Sequence, residues 1–192
     1  KLQNINQKQY QKFIIEIILY LAYFFSCAAK IAKADGSVSV SEIKVTESLI
    51  QRMGLESKTA EFAKNVFRKA KNSRRSIDDD FKEVGRLIRY DPTVGQSFLG
   101  GLFEIARSNG KNFNTLQVRF LLCGEEELKL SHGTIRSWIH GGYSPPQHDS
   151  STDKLSLEEA YNVLGLTMDC NETELKKAYR SKAADFHPDK LS

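Results

Sequence analysis

The chain has 192 residues, room for one ordinary domain and a small second one, which excludes a large multidomain enzyme. With 40% hydrophobic and 27% charged residues, it has enough apolar material for a buried core and does not read as disordered. The net charge of +4 is unevenly spread: residues 1–140 hold 22 Lys and Arg against 15 Asp and Glu, and residues 141–192 hold 6 against 9.

In chain order, the first signal is the apolar stretch Phe13 to Ala29, interrupted by Glu16 and followed by Lys30. It is shorter than the ~20 residues that span a bilayer, and it reads as a buried helix. Helical periodicity then runs from residue 10 to 140, with no alternation long enough for strands. The fold class is therefore all-α, with about seven helices. Asp35-Gly36 closes the first helix and Gly54 the second; Ser76, with Asp79 three residues on, opens another. Asp91-Pro92 interrupts the pattern before a helix from about Thr93 to Ser108, which stops at Asn109-Gly110.

The densest basic run is Arg68, Lys69, Lys71, Arg74 and Arg75. Asp78, Asp79 and Asp80 follow at once and no aromatic residues are interleaved, so the run reads as a solvated helix end and nucleic acid is not an expected partner. Three cysteines, Cys27, Cys123 and Cys170, without a CxxC pair argue against a disulfide framework and a four-ligand zinc site. His132 and His140 near Cys123 form no recognisable nucleophile and base pair, and an enzyme is not expected.

A weak internal repeat lies in the helical part. Ala32-Lys33-Ala34-Asp35-Gly36, followed by Ser39 and Glu42, recurs as Ala106-Arg107-Ser108-Asn109-Gly110, followed by Asn114 and Gln117. Each copy is a long helix, a tight turn and a second helix, a unit that needs its partner to bury its apolar face. The phrase IAKADGSVSVSEI at 31–43 and its echo at 106–118 resemble the TerB-like (tellurite-resistance B) domain, over about residues 12–141. That resemblance implies a divalent metal at Asp35 and Glu42. The residues themselves also fit a different role. Ser39 with Glu42, and Asn114 with Gln117, are both legal capping boxes, and a cap accepts Gln as readily as Glu, whereas a hard cation gains little from an amide in place of a carboxylate.

From Gly141 the composition turns to GGYSPPQHDSSTDKLS, which reads as a flexible linker stiffened by Pro145-Pro146 and reaching roughly 20 Å on average. The expected division is 1–141 helical domain, 142–156 linker and 157–192 a second unit. In that unit Leu157, Ala160, Tyr161 and Leu164 make one apolar stripe. Asn171 and Glu174 form a further capping box, and a second helix carries Leu175, Ala178, Tyr179, Ala183 and Phe186 on one side and Lys176, Lys177 and Arg180 on the other. It stops at His187-Pro188-Asp189.

AYNVLGL, KKAYR and FHPDK together resemble the first half of a J domain, the module by which DnaJ-type co-chaperones engage DnaK-type ATPase chaperones. The resemblance implies that Lys176, Lys177 and Arg180 dock on an acidic chaperone surface, that Asp189 accepts hydrogen bonds from a chaperone arginine, and that His187 and Pro188 hold the loop. Catalysis would stay in the chaperone. Ser181 and Asp185 depart from the usual basic character of this helix, and a third J helix would be expected beyond Ser192. The order of TerB-like bundle, polar linker and J segment is similar to the DjlA-like co-chaperones of Gram-negative bacteria. That group implies a membrane segment ahead of Lys1 and a body on the cytoplasmic side of the inner membrane, with envelope or signalling proteins as further partners of the bundle. The other expectation the residues leave open is a TerB-type stress- or metal-responsive binding module whose J segment is inactive.

Overall fold

Side chains that cap the orphan N–H groups of a helix set most of the boundaries. The computed structural model describes residues 7–34, 36, 39–108 and 112–144, with side chains from Ile15 onward. Among them all regular structure is helical: α1 (Gln7–Ala32), α2 (Val40–Arg52), α3 (Ser57–Ala70), α4 (Ile77–Leu87), α5 (Pro92–Arg107), α6 (Thr115–Glu127), the short α7 (Thr134–Ser137), and a π-helical turn over Trp138–Gly142. Residues Tyr20–Thr152 form one compact unit, and the part of α1 ahead of Tyr20 belongs to a second.

Ser76 Oγ accepts the Asp79 N–H at 3.1 Å and starts α4, as its spacing predicts. Asp91-Pro92 does more than interrupt the chain. Asp91 Oδ1 accepts the N–H groups of Thr93 and Val94 at 2.9 and 3.1 Å, and Pro92 occupies the first helical position, where its missing N–H costs nothing. α7 is capped from a distance: the carboxylate of buried Glu125 accepts the N–H groups of Gly133 at 3.0 Å and Ile135 at 2.7 Å. Gly133 has no side chain to do this itself.

α5 is the centre of the unit. Phe98, Leu99, Leu102, Phe103, Ile105 and Ala106 are all buried, the mark of a helix enclosed on most sides. From α1, Tyr20 and Phe24 each meet the Phe98 ring edge-on with centroids 5.4 Å apart, and Phe81 of α4 lies 6.3 Å from the same ring. Such edge-to-face pairs add stabilisation beyond burial alone. Phe24 reaches this position because residue 101 is glycine; a Cβ there would lie 2.7 Å from its ring. Residues Ile15–Ala32 of α1 are long and apolar enough to cross a membrane by length and composition, and half of that stretch is buried inside the protein.

The internal repeat corresponds to α1–α2 and α5–α6. α2 packs on α5 and α5 on α6, and Gln117 at the start of α6 donates from Nε2 to the Ile31 carbonyl at the end of α1 at 3.5 Å. The two copies therefore contact each other, as the pattern implies. Packing runs on past residue 141. The Tyr143 ring lies 4.9 Å from Phe103 and 5.1 Å from Trp138, and its hydroxyl donates to Glu104 at 2.8 Å. Glu104 in turn pairs with Arg52 of α2. Tyr143 thus ties the end of the bundle to both copies.

Candidate functional site

Of the residues that the sequence marks for function, Glu42 alone is described with its surroundings. Asp35, Lys176, Lys177, Arg180, His187, Pro188 and Asp189 lie outside the described residues. Glu42 is buried, and its Oε2 accepts the Ser39 N–H at 2.7 Å while its own N–H donates to Ser39 Oγ at 3.1 Å. At the matching place in the second copy, Gln117 Oε1 accepts the Asn114 N–H at 3.1 Å and the Gln117 N–H donates to Asn114 Oδ1 at 2.7 Å. The cap backbones coincide, with φ and ψ of −77° and 161° at Ser39 and −75° and 160° at Asn114. A carboxylate and an amide therefore do the same work at equivalent positions, as a capping box allows. Among the described residues no group of three or more His, Cys, Asp or Glu side chains is placed to hold a metal. The geometry around Glu42 fits a helix cap and gives no step that would run through a metal.

Arg68 and Arg75 of the basic run have identified side-chain partners. Arg68 donates to Asn65 and Glu61. Arg75 pairs with Asp80 and lies 5.9 Å from the centre of the Tyr23 ring. Lys30 of α1 also pairs with Asp80, and Ser26 Oγ donates to the same carboxylate at 2.7 Å. Asp80 is 1% exposed. It is the hub that joins α1, α4 and the loop between α3 and α4, and the sequence reading missed it by grouping Asp80 with Asp78 and Asp79. The signal was present: Ile77, Asp80, Phe81 and Val84 fall at i, i+3, i+4 and i+7, so Asp80 sits on the buried stripe of α4.

Cys123 faces an acidic neighbour. Its thiol donates to Asp78 Oδ1 at 3.2 Å. Burial, that hydrogen bond and the charge of Asp78 push its pKa up to about 12, so the thiolate that chemistry requires is nearly absent at neutral pH. Cys27 is fully buried and is pushed up as well, chiefly by burial. His132 stands 3.4 Å from Glu125, with its ring almost wholly exposed, and meets neither thiol.

Comparison with known proteins finds a match in each part of the chain. The family model described as Tellurite resistance protein TerB matches residues 22–122, and the DnaJ domain model matches residues 159–192. Relatives named Co-chaperone protein DjlA are similar over most of the chain. That of Coxiella burnetii is 29% identical, covering 84% of this chain and 62% of its own length. That of Photobacterium profundum is 29% identical over 88% and 65%, and that of Vibrio cholerae 28% identical over 87% and 65%. The chain thus spans a little under two thirds of the length of these relatives. No solved structure matches it.

Proposed function

From the premise that the chain belongs to the TerB family through residues 22–122 and is a DjlA-like protein of the DnaJ family, we propose that it recruits a DnaK-type chaperone and stimulates the chaperone's ATPase. The observation that carries this reading is the coincidence of the DnaJ-domain match with the basic residues Lys176, Lys177 and Arg180 followed by His187-Pro188-Asp189. The matched relatives are named co-chaperones, which fits a protein without a reaction of its own.

The mechanism is one of docking. Lys176, Lys177 and Arg180 fall on one side of a helical wheel and steer the segment onto an acidic surface of the chaperone, an attraction that weakens as salt screens it. Asp189, presented by the turn that Pro188 enforces, accepts charge-assisted hydrogen bonds from a chaperone arginine. His187 holds the turn and adds a polar contact. Binding that is stronger in the hydrolysing conformation of the chaperone than in its resting one shifts the chaperone towards hydrolysis. The TerB bundle acts as a docking or sensing module, and the protein works on the cytoplasmic side of the bacterial inner membrane, anchored by a segment ahead of Lys1.

Docking is tested by measuring the affinity of the full-length gene product for an ATP-loaded DnaK-type chaperone at 50 and 200 mM salt, for wild type and for Lys176→Glu/Lys177→Glu/Arg180→Glu. Wild-type binding should weaken with salt, and the triple variant should lose at least tenfold at low salt. Equal affinity of the two proteins at both salt concentrations would remove the basic helix from the mechanism.

A further inference from the structure

The helix ends of the bundle hold an unexplained choice of residues. Seven described residues have a left-handed backbone: Gly36, Gly54, Gly133 and Gly141, and also Arg89, Tyr90 and Lys129 with φ of 54°, 56° and 55°. Glycine occupies such positions without steric cost, whereas a side chain is strained there. All three of the strained residues stand at one corner, where α4 and α6 end side by side.

The two ends are built alike. In α4 the Tyr90 N–H bonds the Gly85 carbonyl at 2.9 Å and the Arg89 N–H bonds Arg86 at 3.1 Å. In α6 the Leu130 N–H bonds Glu125 at 2.9 Å and the Lys129 N–H bonds Glu126 at 3.0 Å. This paired ending puts the residue after the cap in the left-handed region, and glycine is its usual occupant. Lys129 Nζ lies 4.0 Å over the Tyr90 ring, which gives those two side chains an internal role. Arg89 has none: it is exposed, and its side chain makes no hydrogen bond, ion pair or ring contact among the described residues. The nearby cations are already matched, Lys82 with Glu127 and Arg86 with Glu83. What remains, among the described residues, is two cations without an ion pair, one next to and one over a tyrosine that is 36% exposed.

We infer that this corner, Arg89, Lys129 and Tyr90, is a docking surface for an acidic segment of a partner protein. A planar guanidinium without a partner offers a carboxylate two parallel hydrogen bonds. The adjoining Tyr90 ring shields such a pair from water and strengthens it. An anionic membrane is the poorer fit, because lipid-binding clusters bring four to eight basic residues together and this corner has two that are unmatched.

The test uses the full chain and a fluorescent hexaglutamate peptide in low salt, read by anisotropy. Arg89→Gly/Lys129→Gly should weaken binding at least fivefold and melt no lower than wild type, since glycine relieves the backbone. Arg89→Glu, which leaves the Lys129–Tyr90 contact in place, should weaken binding to the same degree. Lys71→Ser/Arg74→Ser removes equal charge from the loop between α3 and α4 and should stay within twofold of wild type. Absence of peptide binding, an equal loss in this control, or unchanged binding in the corner variants overturns the inference. Binding to vesicles of phosphatidylcholine and phosphatidylglycerol at 3:1 that needs Arg89, without peptide binding, also overturns it and assigns the corner to lipid.

Discussion

Replacing Glu42 separates its two possible roles, because the protein carries its own control at Gln117. In Glu42→Gln the amide oxygen can accept the Ser39 N–H as Gln117 accepts that of Asn114, at 3.1 Å in place of 2.7 Å. The loss of charge assistance costs about 1 kcal/mol or less. In Glu42→Ala the acceptor disappears. Losing that side of the capping box leaves the partly buried Ser39 N–H without a partner, at a cost of about 1–3 kcal/mol. That corresponds to a fall in Tm of about 2–12 °C for a chain of this size. Thermal unfolding of wild type and both variants, with and without millimolar calcium, gives the answer. Capping predicts Gln near wild type, Ala well below, and no dependence on calcium. If Gln is as damaging as Ala, or if calcium raises the wild-type Tm by an amount that Glu42→Gln abolishes, the carboxylate is a ligand and the capping account is wrong.

Three further outcomes follow from contacts inside the bundle. Asp80→Ala leaves Lys30, a side chain 11% exposed, without its counterion and should cost about 3–5 kcal/mol in urea denaturation, most of it through Lys30, because Arg75 is 47% exposed and better screened; a loss below 1 kcal/mol would contradict the hub. Gly124→Ala would put a Cβ 2.6 Å from Leu99 and 2.9 Å from Phe81, so it should destabilise by about 1–3 kcal/mol through overpacking, and an unchanged midpoint would mean that the α4–α6 approach is looser than described. In a Cys170→Ser background, Cys123 should react with iodoacetamide at pH 8 about a thousandfold more slowly than a free cysteine, because a thiol raised from 9.0 to about 12 is far less ionised there. Asp78→Asn should recover only part of that rate, because burial, the larger cause, remains, and a wild-type rate equal to that of a free thiol would refute the assignment.

The features legible in the sequence are those whose partners lie within three or four residues. Ser39 with Glu42, Ser76 with Asp79 and Asn114 with Gln117 each cap a helix as their spacing predicts, and the glycines at 36 and 54 stand at turns with positive φ. The all-α class and the contact between the two copies follow from the same periodic pattern. What the sequence hid is tertiary. Asp80 looks like one of three solvated aspartates until the α4 stripe is drawn through it, and its partner Lys30 lies 50 residues away. Glu125 caps α7 across ten residues, beyond any local motif. Tyr143 lies in a stretch whose Gly and Pro content reads as linker, yet its ring fits over Gly100, where a Cβ would come within 3.0 Å of the phenol oxygen. The endings at Arg89 and Lys129 were invisible because no glycine announces them.

The account's central claim is tested most directly by the ATPase rate of a DnaK-type chaperone mixed with the full-length gene product, wild type or His187→Gln. Wild type should accelerate hydrolysis and His187→Gln should leave it at the rate of the chaperone alone. Equal acceleration by both, or none by either, would contradict the claim that this protein acts through its DnaJ segment.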